Sequence, residues 1–349
     1  MTTYIIRRLL LMIPTFIAIT LIVFTLCRML PDNPIERQKL QRLQAMANEG
    51  GKSSGPISAA EVNKKMANNE LSEEDKKRLM EYYGMSDSII ADYFRWLGNA
   101  FRGDFGTSIR YDEPVLSLIF SRMPISIYYG LISLFFVYGI CIPLGIVKAL
   151  KNNTAIDNGT SIIVFFGYAI PGYALGAILV VYFASQWQIF PLGGFVSENF
   201  DQLSFFGRVF DLLYHSFMPM CCYLVGSFAV TTMLMKNTLL ENLSADYIRT
   251  ALAKGVPYKK AVFRHALDNS LIPLATNFGS SITILIGGSF LIEKVFDIDG
   301  MGLLGFTSIQ ERDSPVVMGI LAVSCLLQLF GNLLSDICVA YVDPRVRFE

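Results

Sequence analysis

Between Lys236 and Asp268 the chain carries six basic and three acidic side chains plus His265, and its most informative part, Asp246 to Pro273, reads DYIRTALAKGVPYKKAVFRHALDNSLIP. Lysine and arginine heads are donors without acceptor capacity, suited to gripping another macromolecule and not to making bonds on their own. Elsewhere the signatures of bond making are absent. No GxxxxGK[ST] loop is present to cradle nucleotide phosphates, so the chain is not expected to hydrolyse ATP. No nucleophile elbow, HExxH or paired-cysteine spacing occurs, which argues against an enzyme. His215 and His265 are the only histidines, too few for a histidine-rich metal centre. The expected catalytic, cofactor and metal sets are empty, and the chemistry on offer is docking.

The elements that must position this stretch are apolar. The 349 residues are 53% hydrophobic and 17% charged, with mean hydropathy +0.45, against about a quarter charged residues in an average soluble domain. A membrane span needs about 20 apolar residues to cross roughly 30 Å of hydrocarbon. Six uncharged stretches meet this: Leu9–Cys27, Met123–Val147, Ser161–Ala184, Leu212–Met235, Asn269–Ile292 and Ser314–Ser335. Outer-membrane strands would instead alternate in polarity over about 10 residues. The expected fold is therefore all-α, an integral membrane protein with six transmembrane helices. Arg7 and Arg8 precede the first run as in a signal peptide, but Arg28 and Pro31 follow it without a small-residue cleavage site, so an uncleaved first span is expected. All six cysteines fall in or beside these spans and read as small apolar packing.

With the N-terminus inside, the inner segments hold twelve Lys and Arg, and the short outer loops hold three, Arg208, Lys294 and Arg312. The positive-inside rule then places both termini in the cytoplasm. Net charge is zero, 29 basic against 29 acidic, so no nucleic-acid partner is implied. Residues 30–123 fall outside as one long segment. Its first part, 36–80, is a polar helical insertion, with SAAE at Ser58–Glu61 and SEED at Ser72–Asp75 as helix starts. Its second part places Ile89, Ile90, Tyr93, Phe94, Leu97 and Phe101 at helical spacing, an amphipathic helix for the membrane surface or another outer element.

Within the docking stretch, ENLSADYIRTALAKG favours a helix that stops at Gly255 before Pro257, and a second helix follows over Tyr258–Leu267. Two short helices about a Gly-x-Pro turn make a protruding knob. Gly172 and Gly176 have GxxxG spacing after Pro171 and suit close helix packing; Pro143 and Pro171 are candidate kinks. Asp336 is the one clear ionisable group expected inside a span, and Glu293 and Lys294 are expected to be solvated beyond the fifth.

The knob resembles the cytoplasmic EAA loop of ABC importer permeases, in the form found in the dipeptide and oligopeptide permease family. Where the general loop has Glu-Ala-Ala, this chain has Arg249, Thr250 and Ala251, followed by Ala253, Lys254 and the turn glycine Gly255. The stretches YFRWLGNAFRGDFGTSIRYDEPVLSLIFSRMP and IEKVFDIDGMGLLGFTSIQERDSPVV and the tail YVDPRVR also resemble that family, in order along the chain. The resemblance implies a type I ABC importer permease fold of first-permease type, in a bacterial inner membrane: residues 1–29 as N-terminus and first span, 30–123 outside, and 124–349 as the core with a coupling loop at 239–270. It further implies a heterodimer with a second homologous permease, two ATP-binding ATPase subunits beneath, and an extracytoplasmic peptide-binding protein. Arg249, Thr250, Ala251, Ala253, Lys254 and Gly255 would contact the ATPase. A nickel or other small-solute importer of the same branch is the alternative. A self-contained carrier is a further one, which buried carboxylates or a histidine relay would favour.

Overall fold

A computed structural model of the chain describes residues 2–29, 88–278 and 288–342. The insertion 36–80, residues 279–287 of the fifth candidate span and the tail from Asp343 lie outside the described residues. The described residues are mainly helical, with one isolated bridge, Thr107 to Pro114, as the only strand-like pairing among them. In chain order the helices are α1 (Thr2–Met29), α2 (Ile89–Ala100), α3 (Val115–Leu150), α4 (Ala155–Ala169), α5 (Gly172–Leu179), α6 (Phe205–Ser244), α7 (Asp246–Ala253), α8 (Tyr258–Ala261), α9 (Leu267–Ser270), α10 (Phe290–Val295), α11 (Met301–Gln310) and α12 (Ser314–Val342). A π-helical segment, Val180–Gln186, prolongs α5, and another, Val262–Ala266, joins α8 to α9.

Among the described residues four helices are long and apolar enough to cross a membrane, α1, α3, α6 and α12, and the bent pair α4–α5 makes a fifth if it is one span. The sequence expectation of six is met only that far, because residues 279–287 of the fifth candidate lie outside the described residues. The candidate kink at Pro171, inside the third span expected over Ser161–Ala184, is a sharp bend: the helices on either side meet at 88°. Ile170, held at φ −94° and ψ 119° in front of Pro171, shows the reason, since a proline ring pushes the preceding residue out of helical geometry. Pro143, by contrast, sits within the continuous α3.

α3 and α6 have 36 and 40 residues, and at 1.5 Å per residue they run roughly 54 and 60 Å, well beyond the hydrocarbon thickness. They pack along each other and form the spine of the molecule. At one end, the loop end, α10 and α11 and the segments around 106–114 and 189–195 cover Tyr129, Met218, Phe296, Ile298 and Met301. At the other, the knob end, α7 to α9 cover Ala149, Met235 and Leu239. Gly172 lets α5 touch α6, since a Cβ there would stand 2.7 Å from the Cys222 carbonyl oxygen; at Gly176 it would stand 2.9 Å from the Phe296 ring. Both glycines of the GxxxG spacing are therefore used inside this chain.

The amphipathic helix α2 lies against α1. The Tyr93 hydroxyl donates to the Ile17 carbonyl at 3.0 Å and pairs with Thr20 at 2.9 Å, while Arg28 meets Asp92 at 2.9 Å. Its stripe is split: Tyr93 and Leu97 are buried, but Ile90, Phe94 and Phe101 are exposed.

Of the expectations about charge, that for Glu293 is overturned. Asp336 accepts from the Tyr4 hydroxyl and pairs with Arg8 at 3.1 Å, closing α1 onto α12; outside the expected spans, Lys148 and Asp157 are more deeply buried, at 0% and 1% exposed. Lys148 and Lys236, two of the twelve inner cations, both bind Asp157. Glu293, expected to be solvated, is 1% exposed, because its carboxylate is drawn to the open N–H groups at the start of α11; Lys294 is exposed as expected.

Candidate functional site

α6 runs unbroken through its apolar part and on to Ser244 before the chain turns at Ala245. α7 then begins with Asp246, an acidic side chain in the first turn, favourable beside the helix dipole. α7 ends at a glycine cap: the Gly255 N–H donates to the Leu252 carbonyl at 2.9 Å and the Val256 N–H to Ala251 at 3.1 Å, with Gly255 at φ +83°. This pair of bonds is the Schellman arrangement, and only glycine takes the left-handed position without strain. Pro257 then opens α8 as its N-cap.

The knob is two-sided. Ile248, Ala261, Val262 and Ala266 are each at most 1% exposed, and Ile248, Ala261 and Ala266 pack with Leu239 and Met235 of α6. On the opposite side Arg249, Thr250, Ala253, Lys254 and Gly255 are exposed and Ala251 is half-buried, so the six expected site residues lie together on one short helix and its cap. Arg249 reaches Asp246 at 3.7 Å and Thr250 donates to the Asp246 carbonyl at 2.9 Å. Tyr247, Leu252, Tyr258 and Phe263 add exposed apolar surface among the cations.

A neutral hydrogen-bond network ties the knob to α6. The Tyr247 hydroxyl donates to Asn242 Oδ1 at 2.6 Å and accepts from Asn269 Nδ2 at 3.1 Å. Asn242 Nδ2 donates to the Thr238 carbonyl at 2.8 Å and to Ser270 Oγ at 3.1 Å, and Ser270, fully buried, donates back to Ala266 at 2.6 Å. Anchored on buried Ser270, this network fixes one arrangement of the groups that make it. Sequence reasoning missed these residues. Their only signal was amide and hydroxyl side chains at the inner ends of apolar runs.

At the loop end, carboxylates do the joining. Glu293 Oε2 accepts from the Leu303 N–H at 2.6 Å, capping α11 from α10. Burial pushes this carboxyl above the ordinary carboxylate range, against the pull of backbone N–H groups of Leu303, Gly302 and Ser289. Asp313, 1% exposed, accepts from Ser108 Oγ at 2.5 Å and from the N–H groups of Ile109 and Arg110 at 3.2 Å each.

Between the two ends, a cavity of about 300 Å³ opens between α3 and α6. Its lining includes Ser133, Tyr138, Ser227, Thr231 and Asn277, with no charged side chain among the described residues that line it. Among the described residues no group of three or more His, Cys, Asp or Glu could hold a metal ion.

Apolar spans, a long helical spine and an exposed basic knob define a multi-pass helical membrane protein with an exposed basic surface at one end. Residues 141–348 match the family described as binding-protein-dependent transport system inner membrane component. The chain is 36% identical over 365 residues to the inner membrane ABC transporter permease protein YejB of Escherichia coli O157:H7, covering all of both chains. It is 35% identical to the peptidoglycan transport system permease protein YejB of Agrobacterium fabrum, covering 100% of this chain and 99% of the relative. To the oligopeptide transport system permease protein AppB of Bacillus subtilis it is 34% identical, again over all of both chains. The chain belongs to this family of inner-membrane permease components of ABC transporters.

Proposed function

We propose that the chain is one permease subunit of an ATP-driven importer of peptides, forming half of the translocation pathway. The observation that carries this reading is similarity over the whole length to permeases named for oligopeptide and dipeptide transport. The chain's spans number six, as the sequence predicts. Both termini and the knob face the cytoplasm, and the loop end faces outward. A second, homologous permease supplies the other half of the pathway, two ATPase subunits bind below, and an extracytoplasmic binding protein delivers substrate.

The knob is the ATPase contact. Its exposed face, from Arg249 to Gly255, meets the ATPase, and its buried face rides on α6, so closure of the ATPases displaces α6 as a rigid body. The uncharged cavity between α3 and α6 suits a peptide pathway: Ser133, Ser227, Thr231 and Asn277 can exchange hydrogen bonds with a peptide backbone without selecting on side-chain charge. The same lining disfavours a self-contained proton-coupled carrier, which needs a titratable group on the path. The Agrobacterium relative's name supports a second reading on substrate, peptidoglycan fragments, which also carry peptide bonds.

The test is reconstitution of the permease with its paired permease, ATPases and binding protein in vesicles. ATP-dependent uptake of labelled peptides, competed by other peptides and not by nickel, is the expected result. Uptake without ATPase subunits would instead establish a carrier.

A further inference from the structure

Lys148, Asp157 and Lys236 come from three helices and meet where α3, α4 and α6 end near the knob. Lys148 closes the last turn of α3 and Asp157 opens the first turn of α4, each the favourable sign for its helix terminus. Lys148 Nζ lies 3.0 Å from Asp157 Oδ1 and donates to the Asp157 carbonyl at 2.8 Å, Thr160 Oγ1 at 3.0 Å and Ser161 Oγ at 2.7 Å. Lys236 of α6 donates to both Asp157 oxygens, at 2.9 and 2.8 Å, and the Asn153 N–H donates to the same carboxylate at 3.0 Å. Two cations thus share one carboxylate at the start of a helix.

Replacing a buried ion cluster with apolar side chains of like volume is often neutral or stabilising, so cohesion alone does not explain the trio. Position does. α6 packs along both arms of the bent α4–α5 unit, and its polar tie to that unit is Lys236 on Asp157, with Cys222 against Gly172 just past the bend. On α6 these contacts are 14 residues apart, roughly 21 Å at 1.5 Å per residue. Van der Waals contacts alone would let α4 slide on α6; with the Lys236–Asp157 tie added, the unit must follow α6. Lys236 also sits just ahead of Thr238 and Asn242, which bind the knob. Beyond the bend, α5 touches Ile292 and Phe296 of the loop end through Gly172 and Gly176.

We propose that Asp157, held between Lys148 and Lys236, is a positioning residue that makes the bent α4–α5 unit move with α6, carrying displacement of the knob to the loop end. This rests on the ATP-driven importer reading above. The trio touches neither substrate nor ATPase; it fixes what moves together.

Lys236→Met tests it, because it severs the tie to α6 while leaving the neutral Lys148–Asp157 pair buried intact. In the reconstituted four-component complex, Lys236→Met should assemble with unaltered subunit stoichiometry, yet its peptide uptake per ATP hydrolysed should fall about tenfold, within the range of known coupling energies. Lys236→Arg, which keeps the tie, should retain most of the ratio, and Asp157→Asn should lose more of it than Lys236→Met. A wild-type ratio in assembled Lys236→Met complexes would overturn the proposal. So would a loss confined to the yield of assembled complex with the ratio intact, which marks a purely structural trio. Absence of ATP-driven uptake by the unaltered complex is a separate outcome: it overturns the importer reading, and the proposal with it.

Discussion

The two ends of the α3–α6 spine solve the same problem, fastening short helices to long ones, with opposite chemistry. At the loop end the fasteners are carboxylates, Glu293 and Asp313, both buried and turned onto backbone N–H groups of the same chain. Where the knob itself meets α6 they are neutral, the Tyr247, Asn242, Ser270 and Asn269 network, with the Lys148–Asp157–Lys236 cluster tying α4 to α6 beside it, and the cations of the α7 tip stay exposed on the far face. Charges turned inward hold shape. The knob, fastened with amides and hydroxyls, leaves its own charges exposed.

The comparison breaks most visibly at the knob tip. Gly255→Asp, or Ala251→Glu, should cut substrate-stimulated ATPase activity and coupled uptake by tenfold or more, the order of a coupling free energy of roughly 1–3 kcal/mol, while thermal unfolding of the isolated subunit in detergent changes far less. Asp313→Ala should do the reverse. It strands three donors, costs roughly 3 kcal/mol of stability at about 1 kcal/mol per buried unpaired group, and leaves uptake per ATP in surviving complexes unchanged. Asn242→Ala should fall between, destabilising by about 1–2 kcal/mol and lowering the uptake-to-hydrolysis ratio several-fold, because it loosens the knob on its lever. The smallest effect is one of pH. The Glu293 carboxyl is raised by burial, so its contribution to stability is full where the unfolded glutamate is already protonated and is lost as pH rises through the folded value. Thermal unfolding from about pH 4 to 8 should show that decline in the wild type and a flatter profile in Glu293→Gln.

Much of this was legible from residue order. Long uncharged runs must be helices in hydrocarbon, so α1, α3, α6 and α12 could be read directly. Gly255 ahead of Pro257 marked the knob's turn because few other signals end one helix and begin another so sharply. The partners of charges were not legible. Lys148 and Lys236 flank apolar runs as free interfacial cations would, and only the fold brings them to Asp157, at distances of 9 and 79 residues along the chain. Glu293 likewise looks like a loop residue until α11 presents its N-terminus. The sharp bend at Pro171 was signalled by the proline, but its size depends on α4 and α5 both resting on α6, a tertiary fact.

The central claim is that the exposed face of α7 is where an ATPase subunit binds. Its most direct test is a photo-crosslinking amino acid placed in turn at Arg249, Thr250 and Lys254 of the assembled complex, with the exposed loop-end residue Ile109 as the control position. Crosslinks to the ATPase from the three α7 positions and none from Ile109 are the predicted result. An ATPase that assembles with the permease yet is captured from none of the three would contradict the account.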